Sequence, residues 1–299
     1  MGRHVGIAFA SAILVSVGGL GAASAADMAV KARPMPVVAY NWTGCYLGVN
    51  AGWKGGRFRD EEVSVPQTTG TIGAGTFVVP ADRVALDGFD ANSGAAGGQI
   101  GCRWQTASNW VFGVEGDADW TDLHGTVINR RFGTGTTLVP GDTFDNRARW
   151  EASVRGILGR SFDKLLIYGT AGVAFTEVRM GANFIQTVGT CVGGAACIYP
   201  ASAGSDSQVL VGGTIGAGLA YALTKNWEIG GEYRYSRYQA GNYNLGGVAG
   251  LCGPVGVVAV AIACFNQNAT GRKALETNEI LFKLNYRFDW AGAAVVAKY

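Results

Sequence analysis

The chain has 299 residues, 15% charged and 48% hydrophobic, with a mean hydropathy of +0.16 and a formal net charge of +2. So even a balance, with no basic stripe, excludes an electrostatic nucleic-acid binder. No segment beyond Ala25 is an uninterrupted apolar run of the ~18 residues that a helical membrane span requires.

Composition points to strands. Glycine is abundant at 47 residues and aromatics reach 11%, whereas Leu, Glu and Lys are too sparse for many long helices. At the start, Arg3 and His4 are basic, Val5 to Leu20 is apolar or small, and Ala23-Ser24-Ala25 supplies the small residues a signal peptidase reads. This predicts a secretory signal over 1–25, with the mature chain starting at Ala26 or Asp27. Residues 26–40 carry Pro34 and Pro36 and no period, and read as a flexible linker.

From Cys45 onward the dominant period is two, as in strands with unlike faces. Eight segments show it. In Cys45–Trp53, Leu47, Val49, Ala51 and Trp53 oppose Tyr46, Gly48, Asn50 and Gly52. In Ser93–Trp104, Ile100, Cys102 and Trp104 oppose Gln99, Gly101 and Arg103. In Trp110–Leu123, Phe112, Val114, Ala118 and Trp120 oppose Glu115, Asp117 and Asp119. Arg147–Phe162 sets Trp150, Ala152, Val154 and Leu158 against Arg149, Glu151, Ser153 and Arg155. Leu165–Val178 and Gln208–Ala222 alternate similarly, the latter with a run of glycines. Trp227–Arg237 sets Ile229, Tyr233 and Tyr235 against Glu228, Glu232 and Arg234. In the last segment Ile280, Phe282, Leu284, Tyr286 and Phe288 alternate with Glu279, Lys283, Asn285 and Arg287.

Short connections (105–109, 163–164 and 223–226) alternate with long ones at roughly 54–92, 124–146, 179–207 and 240–276. An up-and-down barrel in an outer membrane has this pattern, with short periplasmic turns and longer outside loops. Bulky aliphatics occupy one face, with Trp53, Trp104, Trp120, Trp150, Trp227 and Tyr235 toward its ends. Aromatics at strand ends suit the two membrane interfaces. Closure leaves no strand edge unpaired in hydrocarbon. The fold expected over 41–288 is therefore all-β, an eight-stranded antiparallel up-and-down transmembrane β-barrel, with a tail over 289–299. Its inward face is expected to carry Arg103, Glu115, Asp117, Asp119, Arg149, Glu151, Arg155, Glu228, Glu232, Arg234, Lys283 and Arg287. Eight strands enclose a lumen that side chains alone can fill, so this mixture of signs predicts a neutralising plug rather than a wide channel.

Six cysteines behind a secretion signal predict disulfides. Cys45 and Cys102 share height and face on antiparallel neighbours, which makes a cross-strand bridge feasible. Cys191 with Cys197 and Cys252 with Cys264 each fall in one loop and are expected to pin it. The apolar stretch Pro254–Phe265 reads either as a small hairpin closed by its disulfide or as a partner-binding tip, and the hairpin is the expectation because an apolar tip facing water invites aggregation.

The segment Tyr40-Asn41-Trp42-Thr43-Gly44-Cys45-Tyr46-Leu47-Gly48-Val49-Asn50-Ala51-Gly52 resembles the WTGFYVG-N-G opening of alphaproteobacterial outer-membrane β-barrel proteins, the porin family or RopB-like group. Ala26–Ala32 and the ending Leu284-Asn285-Tyr286-Arg287-Phe288 are similar to that group too. The resemblance implies a relative of the OmpA membrane domain, a surface protein supporting envelope integrity. Cys45 replaces the usual aromatic, and Asp289–Tyr299 follow the Phe288 that would end the last strand. The assembly machinery for such barrels reads a terminal aromatic, and Tyr286, Phe288 and Tyr299 compete for that role.

Three function classes follow: a structural or adhesive barrel, a small-diameter pore, and an outer-membrane enzyme acting on lipid or lipopolysaccharide. The enzyme needs a base beside a nucleophile. His124, the sole histidine beyond the signal, lies beside Asp122 with no Ser or Cys placed to meet it, and reads as a solvated loop residue. Asp117 and Asp119 read as barrel filling, and Asp60, Glu61 and Glu62 as a solvated acidic run rather than a calcium site. The expected protein is structural and non-enzymatic, with the small pore as the alternative. Its partners are outer-membrane lipid, lipopolysaccharide and the barrel-assembly machinery; no metal or cofactor is implied.

Overall fold

The computed structural model describes residues 40–72, 75–135, 137–190, 196–254 and 262–288. Among the described residues, fourteen strands follow in order. They are β1 (Gly44–Val65), β2 (Thr68–Ile72), β3 (Gly75–Val79), β4 (Asp82–Ala85), β5 (Phe89–Gln105), β6 (Trp110–Ile128) and β7 (Thr143–Phe162). The rest are β8 (Leu165–Phe184), β9 (Thr187–Thr190), β10 (Ala196–Tyr199), β11 (Ser202–Ala222), β12 (Trp227–Tyr238), β13 (Gly241–Pro254) and β14 (Ile262–Phe288).

Eight of these strands form a closed antiparallel ring in the order β1-β5-β6-β7-β8-β11-β12-β14, and β14 returns to pair with β1 from Cys45↔Phe288 to Ser64↔Thr270. At one rim the connections are short. Asn109 and Asp163 take positive φ there (64° and 55°), the left-handed conformation that Asn and Asp tolerate better than other non-glycine residues. At the other rim the strands run on as tall hairpins.

The lower strand ends lie where the period-two pattern places them, but the upper ends extend well past it. β1 continues from Trp53 to Val65, and the long connection at 240–276 is itself paired, β13 against the first half of β14. The cause is an inversion of the faces. In β1 the outward positions change from Leu47, Val49 and Trp53 to Arg57 and Arg59, while the inward ones change from Asn50 and Lys54 to Phe58. In β8 the outward run ends with Glu177 and Arg179 and the inward run with Val178, Met180, Ala182 and Phe184. Within the bilayer the apolar face looks outward to lipid; above it, in water, the apolar face must turn into the barrel.

The upper interior is accordingly an apolar core in which Phe58, Val63, Leu123, Leu138, Phe144, Val178, Met180 and Leu275 pack together. The 129–142 connection folds into it. Its backbone is held by the buried Asp82 carboxylate, which accepts from the N–H groups of Gly135 (2.7 Å), Thr137 (2.8 Å) and Leu138 (2.7 Å). Buried backbone donors need such partners.

Cys45 and Cys102 stand opposite each other in the β1–β5 register and are joined in a disulfide. Cys252 is opposite Cys264 on β13 and β14, and Cys197 opposite Gly189 on β10 and β9. Cys191 and the side chains of Cys197, Cys252 and Cys264 lie outside the described residues. In the apolar stretch at 254–265, Pro254 pairs with Ile262 as the two arms of a hairpin, and 255–261 lie outside the described residues. So do the signal (1–25), almost all of the linker and the tail.

Candidate functional site in the filled lumen

Alternation decides what enters the lumen. Among the described residues, five buried cations (Lys54, Arg103, Arg155, Arg234, Lys283) meet seven buried carboxylates there (Glu115, Asp117, Asp119, Glu151, Glu228, Glu232, Glu279), while Arg287 is buried at one rim and Lys273 in the apolar zone against Phe58 and Phe89. Inward glycines make room. A Cβ at Gly97 would meet the Asp119 carboxylate, and one at Gly101 the Tyr46 hydroxyl.

Arg155 of β7 donates to Glu115 at 2.6 Å, to Asp117 at 3.1 Å and to Glu232. Lys283 of β14 completes that knot, donating to Glu115 at 2.7 Å and Glu232 at 2.6 Å. One layer up, Arg234 reaches Asp117 at 2.6 Å, Asp119 at 3.4 Å and Glu279 at 3.4 Å. Lys54 lies between Glu151 and Glu279, the latter at 2.7 Å. Neutral groups stitch the layers: Tyr46 donates to Glu115 (2.6 Å), Tyr168 to Glu232 (3.0 Å) and Asn50 to Asp119 (2.7 Å).

The short-turn rim is closed differently. Trp42, fully buried, donates through Nε1 to the Asp163 carbonyl at 3.0 Å and packs with Val111, Ile157 and Leu166. Arg103 lies over the rings of Trp42 and Tyr46, 5.3 and 4.1 Å from their centroids, and pairs with Glu228 at 2.7 Å. Arg287 faces inward at this rim but binds backbone, donating to the carbonyls of Asn41 and, at 2.7 Å, Lys225, so it caps the lumen rather than joining its charge network. The cavity among Tyr46, Arg103, Glu115, Tyr168 and Lys283 has a volume of about 10 Å³. That is close to the smallest space a single water occupies.

Arg149, expected inside, is outside. Between the pairs Ala148↔Val178 and Glu151↔Thr176, two residues of β7 (Arg149 and Trp150) face one of β8 (Glu177), and this bulge moves Arg149 to the outer face. Two lumen residues were missing from the sequence-based set. Lys54 lay one residue past the expected end of its strand, although it continues the inward parity of Tyr46 and Asn50; Glu279 alternates correctly with Ile280 and needed only to be counted. Trp42 gave no periodic signal, because it precedes the first strand.

His124 is exposed on β6, its Nδ1 3.0 Å from the Asp122 carbonyl, and meets no nucleophile among the described residues. Asp117 and Asp119 share the cation Arg234. Among the described residues no cluster of three or more His, Cys, Asp or Glu is arranged to hold a metal. Of the acidic run, Glu62 pairs with Arg83 at 2.9 Å, and the side chains of Asp60 and Glu61 lie outside the described residues.

Residues 12–288 match a family model described as "Outer membrane protein beta-barrel domain". The chain is 30% identical over 233 residues to the 31 kDa outer-membrane immunogenic protein of Brucella melitensis, covering 76% of this chain and 86% of that one. It is 24% identical over 271 residues to the 25 kDa outer-membrane immunogenic protein of Brucella canis, covering 89% and 91%. It is also 29% identical over 175 residues to the 22 kDa outer membrane protein of Rhizobium leguminosarum bv. viciae, covering 58% and 64%.

Proposed function

Because this chain belongs to the outer membrane protein β-barrel domain family, and so resides in the outer membrane, we propose that it is a non-enzymatic scaffold that supports envelope integrity and presents its tall hairpins to the outside. The filled lumen carries this reading. Among the described residues, layers of buried ion pairs, a tryptophan seal at one end and an apolar core at the other favour a filled barrel over an open channel. Burying so many charges gains little net stability over an apolar filling. What the network supplies is a rigid, filled cylinder whose outer wall fits lipid. The hairpins at the upper rim, β2–β3 and β9–β10 among them, are the surface on offer. Two of the relatives are named immunogenic outer-membrane proteins, which supports a surface-displayed role.

The test is a strain lacking the protein. Increased sensitivity to detergents, reversed by re-expressing the wild type, is the expected result; unchanged detergent resistance contradicts a role in envelope integrity.

A further inference from the structure

Like charges rarely face each other across paired strands, because the repulsion is uncompensated. Here β7 and β8 pair with Arg147 directly opposite Arg179, and β6 places His124 opposite Arg147 on its other side. All three side chains are exposed on the outer wall, and the bulge adds Arg149 beside them. Compensation within the chain is partial. Arg147 donates to Asp122 at 2.6 Å and Arg179 to the Ser205 hydroxyl at 2.9 Å, while Asp145 is taken by Thr126 and Asn183 (2.5 and 3.2 Å). Glu177, the other acid on this wall, accepts from Trp150 Nε1 at 3.1 Å. The three arginines line one open groove of about 490 Å³, with the hydrogen-bonded Asp145 as its one acidic lining residue.

Depth gives the ligand. Trp120 and Trp150 are paired at the upper edge of the apolar belt, and Arg147 lies three residues beyond Trp150. At ~3.3 Å rise per residue this puts the row within about 10 Å of the belt, at the level of the lipid headgroups. We propose that Arg147 and Arg179, with Arg149, bind the phosphate of a phosphorylated glycolipid headgroup in the outer leaflet, one anion bridging the two facing guanidiniums. Guanidinium forks match phosphate oxygens bidentately, and a shared anion turns the like-charge pair from a cost into a site. Elsewhere on the wall Arg59 and Arg237 already share Glu276 (3.3 and 3.6 Å), so that cluster needs no external anion. The proposal rests on the reading that the long hairpins face outside.

The full-length protein, folded in zwitterionic micelles, is titrated with diphosphorylated lipid A, with its dephosphorylated form and with inorganic phosphate, while heat-modifiable gel mobility reports the barrel. The diphosphorylated lipid is expected to bind about tenfold more tightly than the dephosphorylated one, and R147A/R179A to remove that preference. R147K/R179K is expected to keep part of it, and R59A/R237A to leave it within about twofold. Equal binding of the two lipids by a barrel with normal mobility overturns the site, as does an undiminished preference in R147A/R179A. Inorganic phosphate competing as well as the lipid overturns the headgroup assignment. Should R147A/R179A fail to fold, the comparison of the two lipids on the wild type still decides. Failure of the barrel reading itself would show separately, as a band that does not shift on boiling.

Discussion

Arg234 on β12 donates to Asp117 on β6 at 2.6 Å, and these two strands stand opposite each other in the eight-stranded ring, so the bond ties the barrel across its full width. A buried pair of this kind is worth little against an apolar replacement, yet removing one partner strands the other charge. R234A is therefore expected to lower stability by about 3–5 kcal/mol, read as a drop in the temperature at which the folded gel band is lost. R234A/D117N should recover part of the loss, because the two effects are not independent.

The outer wall makes the opposite demand. Phe282 is 71% exposed and Val154 63% exposed, values that only a lipid environment makes favourable. F282R is expected to destabilise the barrel by about 2–4 kcal/mol in lipid vesicles, whereas an inserted arginine on a solvated wall would cost almost nothing. Urea titration of the vesicle-inserted protein distinguishes the two.

The Cys45–Cys102 disulfide closes a sequence separation of 57 residues. By the chain-entropy account, C45S/C102S should cost about 4 kcal/mol through the unfolded state, and the wild type should lose a similar amount on reduction. Non-reducing peptide mapping should show this link in the native protein.

The folded-in connection at 129–142 should respond to pH. Asp142 accepts from the N–H groups of Val139 and Ile185, both at 3.0 Å, but burial, with Asp82 nearby, pushes its carboxyl above the usual range. A carboxyl raised on folding contributes stability that is fully present below its unfolded pKa and is lost as pH rises through its folded value. Proteolysis within 129–142 is expected to quicken from acidic to neutral pH, and D142N to flatten that dependence.

The membrane zone was legible in the sequence because each inward residue there differs sharply from its neighbours. Glu115, Asp117 and Arg155 could be placed by parity alone. The upper zone was not, because its faces exchange character: reading apolar as outward ends β1 at Trp53 and loses Lys54, which lies on the same inward parity as Asn50. Arg149 failed for another reason. A one-residue bulge reverses every assignment beyond it, and nothing in the local composition of Ala148–Glu151 announces it. Trp42 was visible as part of a motif, but its seal against Asp163 is a contact between residues 121 apart in sequence and has no period to find.

Conductance tests the central claim most directly. Purified wild-type protein reconstituted in a planar lipid bilayer is predicted to show no discrete conductance steps, because buried ion pairs fill the lumen and Trp42 seals its rim. Stable, reproducible steps from protein with the folded gel mobility would contradict the scaffold and show an open path through the barrel.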